Sequence, residues 1–141
     1  MCFPDNCIRG IPNPSFLLDD GSVGSHLFHF KEEDVRVDGW TAQSINWEDD
    51  GFAIEFTLNQ RKENGERQFK AGVAIIPRDE IDRLNRRPTV KGILSYERQC
   101  LADNPYHGNI LLRTDVPKPT MRKIAAGLAL AVSGIVPQHQ D

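Results

Sequence analysis

The sequence predicts an α+β fold: a mainly antiparallel sheet with a long hairpin, one short helix, and a C-terminal apolar helix packed on the sheet. Three observations carry this reading. "FAIEFTLNQ" and "RQFKAGVAII" alternate apolar and polar residues on either side of Asn64-Gly65, the pattern of two half-buried strands joined by a tight turn. "RDEIDRLNRR" has helical periodicity and lies between strand-like runs. The chain closes on "KPTMRKIAAGLALAVSGIVP", too apolar for a surface helix. Strands grouped with few helices, in place of a regular βαβ alternation, argue for an antiparallel sheet.

The elements follow in chain order. Residues 1–8 hold Cys2 and Cys7 and are expected to fray; the whole chain, 1–141, reads as one domain. Pro12 and Pro14 open an irregular stretch, and Asp19-Asp20-Gly21 is a turn. "VGSHLFHF" reads as a strand with His26, Phe28 and Phe30 on one face. An acidic connection, "KEEDVRVDG", leads to Trp40–Trp47, whose type the pattern leaves open. The hairpin arms are expected at 52–60 and 67–76, with a type I′ turn at Asn64-Gly65. Pro77 ends the second arm and Pro88 stops the short helix, which turns Ile81 and Leu84 inward. Its acids Asp79 and Glu80 stand at the start and its arginines at the end, as the helix dipole favours. "VKGILSY" and "GNILLR" are further strands. In the last helix Pro119 opens and Gly134 and Pro137 close; Ile124, Leu128, Ala131 and Ile135 form the stripe for the sheet.

With 141 residues, 39% apolar and 26% charged, the chain can bury a core without staples. It has no apolar run long enough to span a bilayer and no secretory signal at its start, so no membrane is expected and the compartment reads as cytoplasmic. Three cysteines form no disulfide framework and read as reduced thiols. The net charge of −3 hides an asymmetry. Residues 1–55 carry eleven acids and three bases; residues 56–141 carry nine acids and fourteen bases. Either a charged partner or mutual pairing of the halves answers to that layout.

The layout resembles that of a group of small uncharacterised bacterial proteins. The shared pieces are Arg9-Gly10-Ile11, Asp20-Gly21-Ser22-Val23-Gly24-Ser25, Gly72-Val73-Ala74 with Ile81 and Leu84, and Asp103-Asn104-Pro105-Tyr106-His107. They scatter over residues 8–112, and the charged tip and added C-terminal helix depart from the pattern. The resemblance implies a bacterial, soluble, single-domain protein and carries no activity with it.

Few residues invite chemistry. His26 and His29 are a ligand-like pair, but three residues apart on a strand they face opposite sides, and structural zinc wants four close ligands, so no metal and no cofactor is expected. Gly10, Gly21 and Gly24 make no phosphate-loop fingerprint. Cys100 and His107 flank one turn, with a small buried thiol the simpler reading of the cysteine. In "LADNPYHGNILL", Asn104-Pro105 favours a turn and Asp103 can accept backbone N–H groups in it. His107 then opens the next strand, where it bonds a carbonyl or donates to a ligand. His107, Asp103 and Tyr106 are therefore the catalytic candidates. Lys118, Arg122 and Lys123 stand where a helix start usually carries acids, and so form a candidate anion site.

Two functions follow. The first is an interaction or accessory module that binds a partner macromolecule, either a protein or a second copy, through the charged tip or residues 124–136, with Leu130 and Val132 at the interface. The second is a small transferase- or nuclease-type enzyme acting on a phosphate-bearing substrate. That enzyme requires His107, Asp103 or Tyr106 to share a pocket with Arg122 or Lys123. Nucleic-acid binding is weaker, given the acidic total and the lack of a recognised motif.

Overall fold

The computed structural model describes residues 3–139. Six antiparallel strands form one sheet: β1 (Asn6–Ile11), β2 (Trp40–Trp47), β3 (Gly72–Pro77), β4 (Leu94–Arg98), β5 (His107–Arg113) and β6 (Gly134–Val136). Their order across the sheet is β4-β5-β2-β1-β3-β6. Three helices accompany them: α1 (Ala53–Leu58), α2 (Arg78–Asn85) and α3 (Lys118–Ala131). The fold is α+β, with the C-terminal helix packed on the sheet.

Alternation along the strands gives each face its own core. Cys7 and Ile11 of β1, Ile45 and Trp47 of β2, Ala74 and Ile76 of β3, and Ile110 and Leu112 of β5 meet Ile81 and Leu84 of α2 and Ile124, Ala125 and Leu128 of α3. The opposite face is smaller: Ile8 and Val73 are covered by Ala53 and Leu58 of α1. Trp40–Trp47, open in the sequence, becomes an inner strand because it pairs with β5 over seven positions.

Five expectations are corrected. The first hairpin arm is helical: α1 occupies Ala53–Leu58, and there is no long hairpin. Acids hold the turn that leads into it, with Gly51 N–H donating to Glu48 Oε1 at 2.8 Å and Phe52 N–H to Asp50 Oδ1 at 3.0 Å. Both flanks of β3, the strand this arm was expected to pair with, are taken by β1 and β6, so the segment contributes more by covering the sheet than by extending it. The turn at Asn64-Gly65 survives in another form. Gly65 alone has φ of +84°, Gly65 N–H donates to Lys62 O at 2.9 Å, and Asn64 Oδ1 accepts from Glu66 N–H at 3.0 Å. That is a type I turn closed by a left-handed glycine, not type I′. The fold class stands without the hairpin because β1 and β2 supply the sheet's interior.

"VGSHLFHF" is likewise no strand. Ser25–Phe28 is a 3-10 turn that buries Leu27 and Phe28 against the α3 side of the core. Residues 6–8, expected to fray, begin a central strand, with Cys7 and Ile8 buried. Lastly, the terminal helix ends at Ala131, and Gly134–Val136 is the edge strand β6 on β3. Pro119 does stand in the first turn of α3, as expected.

The charge asymmetry is answered partly inside the fold. Arg98 pairs with Asp49, a base of the second half on an acid of the first; Arg36 with Glu97 also joins the halves, but with the signs reversed. No helix is long and apolar enough to cross a membrane among the described residues.

Leu130 is 88% exposed on α3, whereas Val132 is partly buried against the main core. Leu130→Asp is therefore expected to change stability by no more than about 0.5 kcal/mol, and Val132→Asp to cost about 1–3 kcal/mol. Paired urea titrations followed by circular dichroism read the difference; equal losses in both variants contradict this placement.

Candidate functional site

A split in the sheet makes one cleft. β1 and β2 pair only at Cys7↔Trp47 and Ile8↔Asn46. Beyond Ile8, β1 stays with β3 as far as Ile11, and beyond Asn46, β2 stays with β5 as far as Trp40. The two strands diverge, and the wedge between them opens into a cleft of about 440 Å³, within the range of small-molecule sites, roughly 300–1,000 Å³.

Arg9 projects into this wedge. Its Nη1 donates to Ser44 O at 2.6 Å, and its Nε and Nη2 donate to Leu27 O at 3.4 and 3.3 Å. The guanidinium thus ties the open edge of β2 to the 3-10 turn. Burial pulls its pKa down to about 10, with Asp34 acting in the opposite sense, so it remains a cation at neutral pH. Among the described residues no carboxylate forms an ion pair with it.

Gln43 also lines the cleft. By strand alternation it belongs with Ile45 and Trp47 to the face of the main core, and it is 3% exposed. Neither its Nε2 nor its Oε1 has a hydrogen-bond partner. From the opposite face comes a satisfied network. Asn104 Nδ2 donates to Asn46 Oδ1 at 2.9 Å; Asn46 Nδ2 donates to Thr57 Oγ1 at 2.7 Å and Gln60 Oε1 at 3.3 Å; Thr57 Oγ1 donates to Ala53 O at 2.7 Å. Because the strands part, groups belonging to both faces line one space. Phe69 walls it, its ring lying 2.2 Å from where a Cβ on Gly10 would stand, so only glycine fits there.

His107 and Asp103 line the same cleft, so the structure brings these two candidates together. The imidazole of His107 makes no hydrogen bond among the described residues, and burial lowers its pKa against the pull of Glu97 and Asp103. It is thus neutral at pH 7. The backbone acceptor of the turn is Asn104, whose Oδ1 takes Tyr106 N–H at 3.0 Å; Asp103, expected in that role, is exposed. Tyr106 faces elsewhere: its hydroxyl donates to Asp50 Oδ2 at 3.0 Å and its ring packs on Phe56.

Comparisons with protein-family models, curated proteins and solved structures gave no match. The chemistry of the clefts is therefore what bears on function.

Lys118 and Arg122 line a second cleft, of about 410 Å³, with His29, Lys31 and Met121. Lys123 is not among its lining residues. α3 starts at Pro117 with no side-chain cap and no acid in its first turn. His107 and Asp103 thus stand in one cleft and Lys118 and Arg122 in another; the enzyme reading needed a single pocket. Cys100 is exposed, and Cys7 is buried with its thiol pKa pushed up to about 12 by desolvation, so it is unreactive at neutral pH. No group of three or more His, Cys, Asp or Glu is placed to hold a metal ion among the described residues.

Sequence reasoning passed over Arg9, Gln43, Asn46 and Thr57. For Gln43 and Asn46 the signal was the polar content of "TAQSINW", which a strand buried on both faces does not ordinarily carry; Arg9 and Thr57 had no such local signal.

A depressed His107 pKa has a defined sign. The unfolded histidine, near 6.5, binds its proton before the folded one does. Stability is therefore fully present above that value and declines as pH falls through it toward the lower folded value. His107→Gln is expected to flatten the slope of stability between pH 7 and 5, measured by urea unfolding at several pH values; an unchanged slope contradicts the assignment.

Proposed function

We propose that the protein is a small interaction module that works by binding, and that its recognition site is the cleft between β1 and β2. The observation that carries this reading is Gln43. A buried carboxamide with both ends unpartnered costs about 1–3 kcal/mol per orphaned group, and here it lines the same cleft as a partly buried arginine that no carboxylate pairs among the described residues. A ligand supplies what both lack. The side-chain amide signals of Gln43, Asn46 and Asn104 in a nitrogen-15 correlation spectrum, followed while small polar molecules are added, test the reading. Shifts confined to these groups and His107 support it; no shift from any of a broad set of compounds counts against it.

A macromolecular partner at residues 124–136 has one anchor in its favour, the projecting Leu130. Phosphate-directed activity also has one observation behind it: Lys31, which pairs with Glu33, and Lys118 and Arg122 line the second cleft with no acidic residue among its described walls. Titration with inorganic phosphate and nucleotides at low and high salt decides that point. Binding at low salt that Arg122→Ala weakens and Lys123→Ala does not is the expected result; equal loss in both variants indicates diffuse surface charge.

A further inference from the structure

The charges around the split cleft are unbalanced in an informative way. Arg9 is the cation, and Asp34 and Asp103 are the acids, while Gln43, Asn46, Gln60, Gln68, Asn104 and the neutral imidazole of His107 supply uncharged hydrogen-bonding groups. Three of the five N–H groups of Arg9 are engaged by the carbonyls of Leu27 and Ser44, leaving one free on each terminal nitrogen. Asp103 accepts no hydrogen bond and joins no ion pair among the described residues.

A phosphate dianion fits such a site badly, since the lining holds two carboxylates to one guanidinium. A neutral sugar or amide leaves Arg9 unpaired. A molecule with one carboxylate and one cationic end satisfies both. We propose that this cleft binds a small zwitterion of the α-amino-acid type, its carboxylate seated on Arg9 and its ammonium group directed toward Asp103. The proposal rests on the binding-module reading and names the ligand class for it. The side chain of the ligand meets Phe69 and the carboxamides, which suits a compact polar residue. The volume of about 440 Å³ accommodates a single amino acid or a dipeptide and excludes a folded partner.

The test uses the full chain, with L-alanine, L-serine and L-glutamine as probes. L-alanine amide lacks the carboxylate, N-acetyl-L-alanine lacks the ammonium group, acetamide lacks both, and inorganic phosphate serves as the plain anion. Calorimetric titration and the nitrogen-15 spectrum are read together. Free amino acids are expected to bind and to move the Gln43 and Asn46 signals, with each blocked analogue at least tenfold weaker. Asp103→Asn is expected to weaken L-alanine and leave N-acetyl-L-alanine unchanged. Arg9→Lys guards against loss through misfolding, since it keeps the charge and loses the fork. Gln43→Met separates ligand binding from stability: it removes an orphaned buried amide, so the variant is expected to melt higher than the wild type while binding L-alanine at least tenfold more weakly. If acetamide or phosphate moves these signals as strongly as the amino acids do, the cleft remains the recognition site and the zwitterion assignment falls. If no probe moves them, both fall.

Discussion

Trp47→Ala is expected to cost about 3–5 kcal/mol, the largest loss of any single truncation in this chain. The ring is fully buried at the end of β2, 5.0 Å from the ring of Phe3 and 5.4 Å from that of Tyr96. Its indole N–H donates to Glu97 O at 3.0 Å, fastening β2 to the outer strand β4 across β5. Truncation removes the burial, leaves a cavity in the main core, and breaks the bond to Glu97 O. Trp47→Phe keeps most of the volume and loses the bond, so about 1–3 kcal/mol is expected. Urea denaturation followed by far-ultraviolet circular dichroism checks both. A loss below about 1 kcal/mol for the alanine variant contradicts the burial described.

Asn46→Ala is expected to cost about 2–4 kcal/mol. Asn46 is the hub that joins β2, α1 and the turn before β5: it accepts from Asn104 and donates to Thr57 and Gln60. Removing it leaves buried groups of Asn104 and Thr57 unpaired. A double-mutant cycle with Thr57→Val isolates the link, and coupling of at least about 0.5 kcal/mol is expected. Additive losses place Asn46 and Thr57 in separate, uncoupled roles. The same substitution loosens the wall of the cleft, so ligand affinity and stability are expected to fall together, unlike the opposed effects expected for Gln43→Met.

How much of this was legible depends on the range of the forces involved. α2 was readable because its apolar spacing, its charges and the flanking prolines agree locally. β5 and the start of α3 were readable for the same reason. The hairpin was not, because "FAIEFTLNQ" is consistent with either period: Ile54 and Leu58 share a helical face as readily as a strand face. What decided it was the occupancy of both edges of β3 by β1 and β6, a fact about distant segments. His107 and Asp103 were legible as candidates through turn chemistry, and they do share a cleft. Arg9 and Gln43 were not, since nothing near either residue announces that β1 and β2 will part between them.

The sequence by itself determined the class of the fold, the short helix, the strand after Asp103-Asn104-Pro105, the apolar character of the last helix and the absence of phosphate-loop and zinc signatures. Each follows from interactions within a few residues, where period, capping and turn preference act. The tertiary structure alone decided that residues 6–11 become a central strand, that residues 53–58 form a helix, that the final apolar run splits into α3 and β6, and that an arginine without a carboxylate partner and an unsatisfied glutamine line one cleft. Those outcomes depend on which strand finds which partner and where the pairing stops, and hydrogen bonding between segments dozens of residues apart is not written in the local pattern of either one.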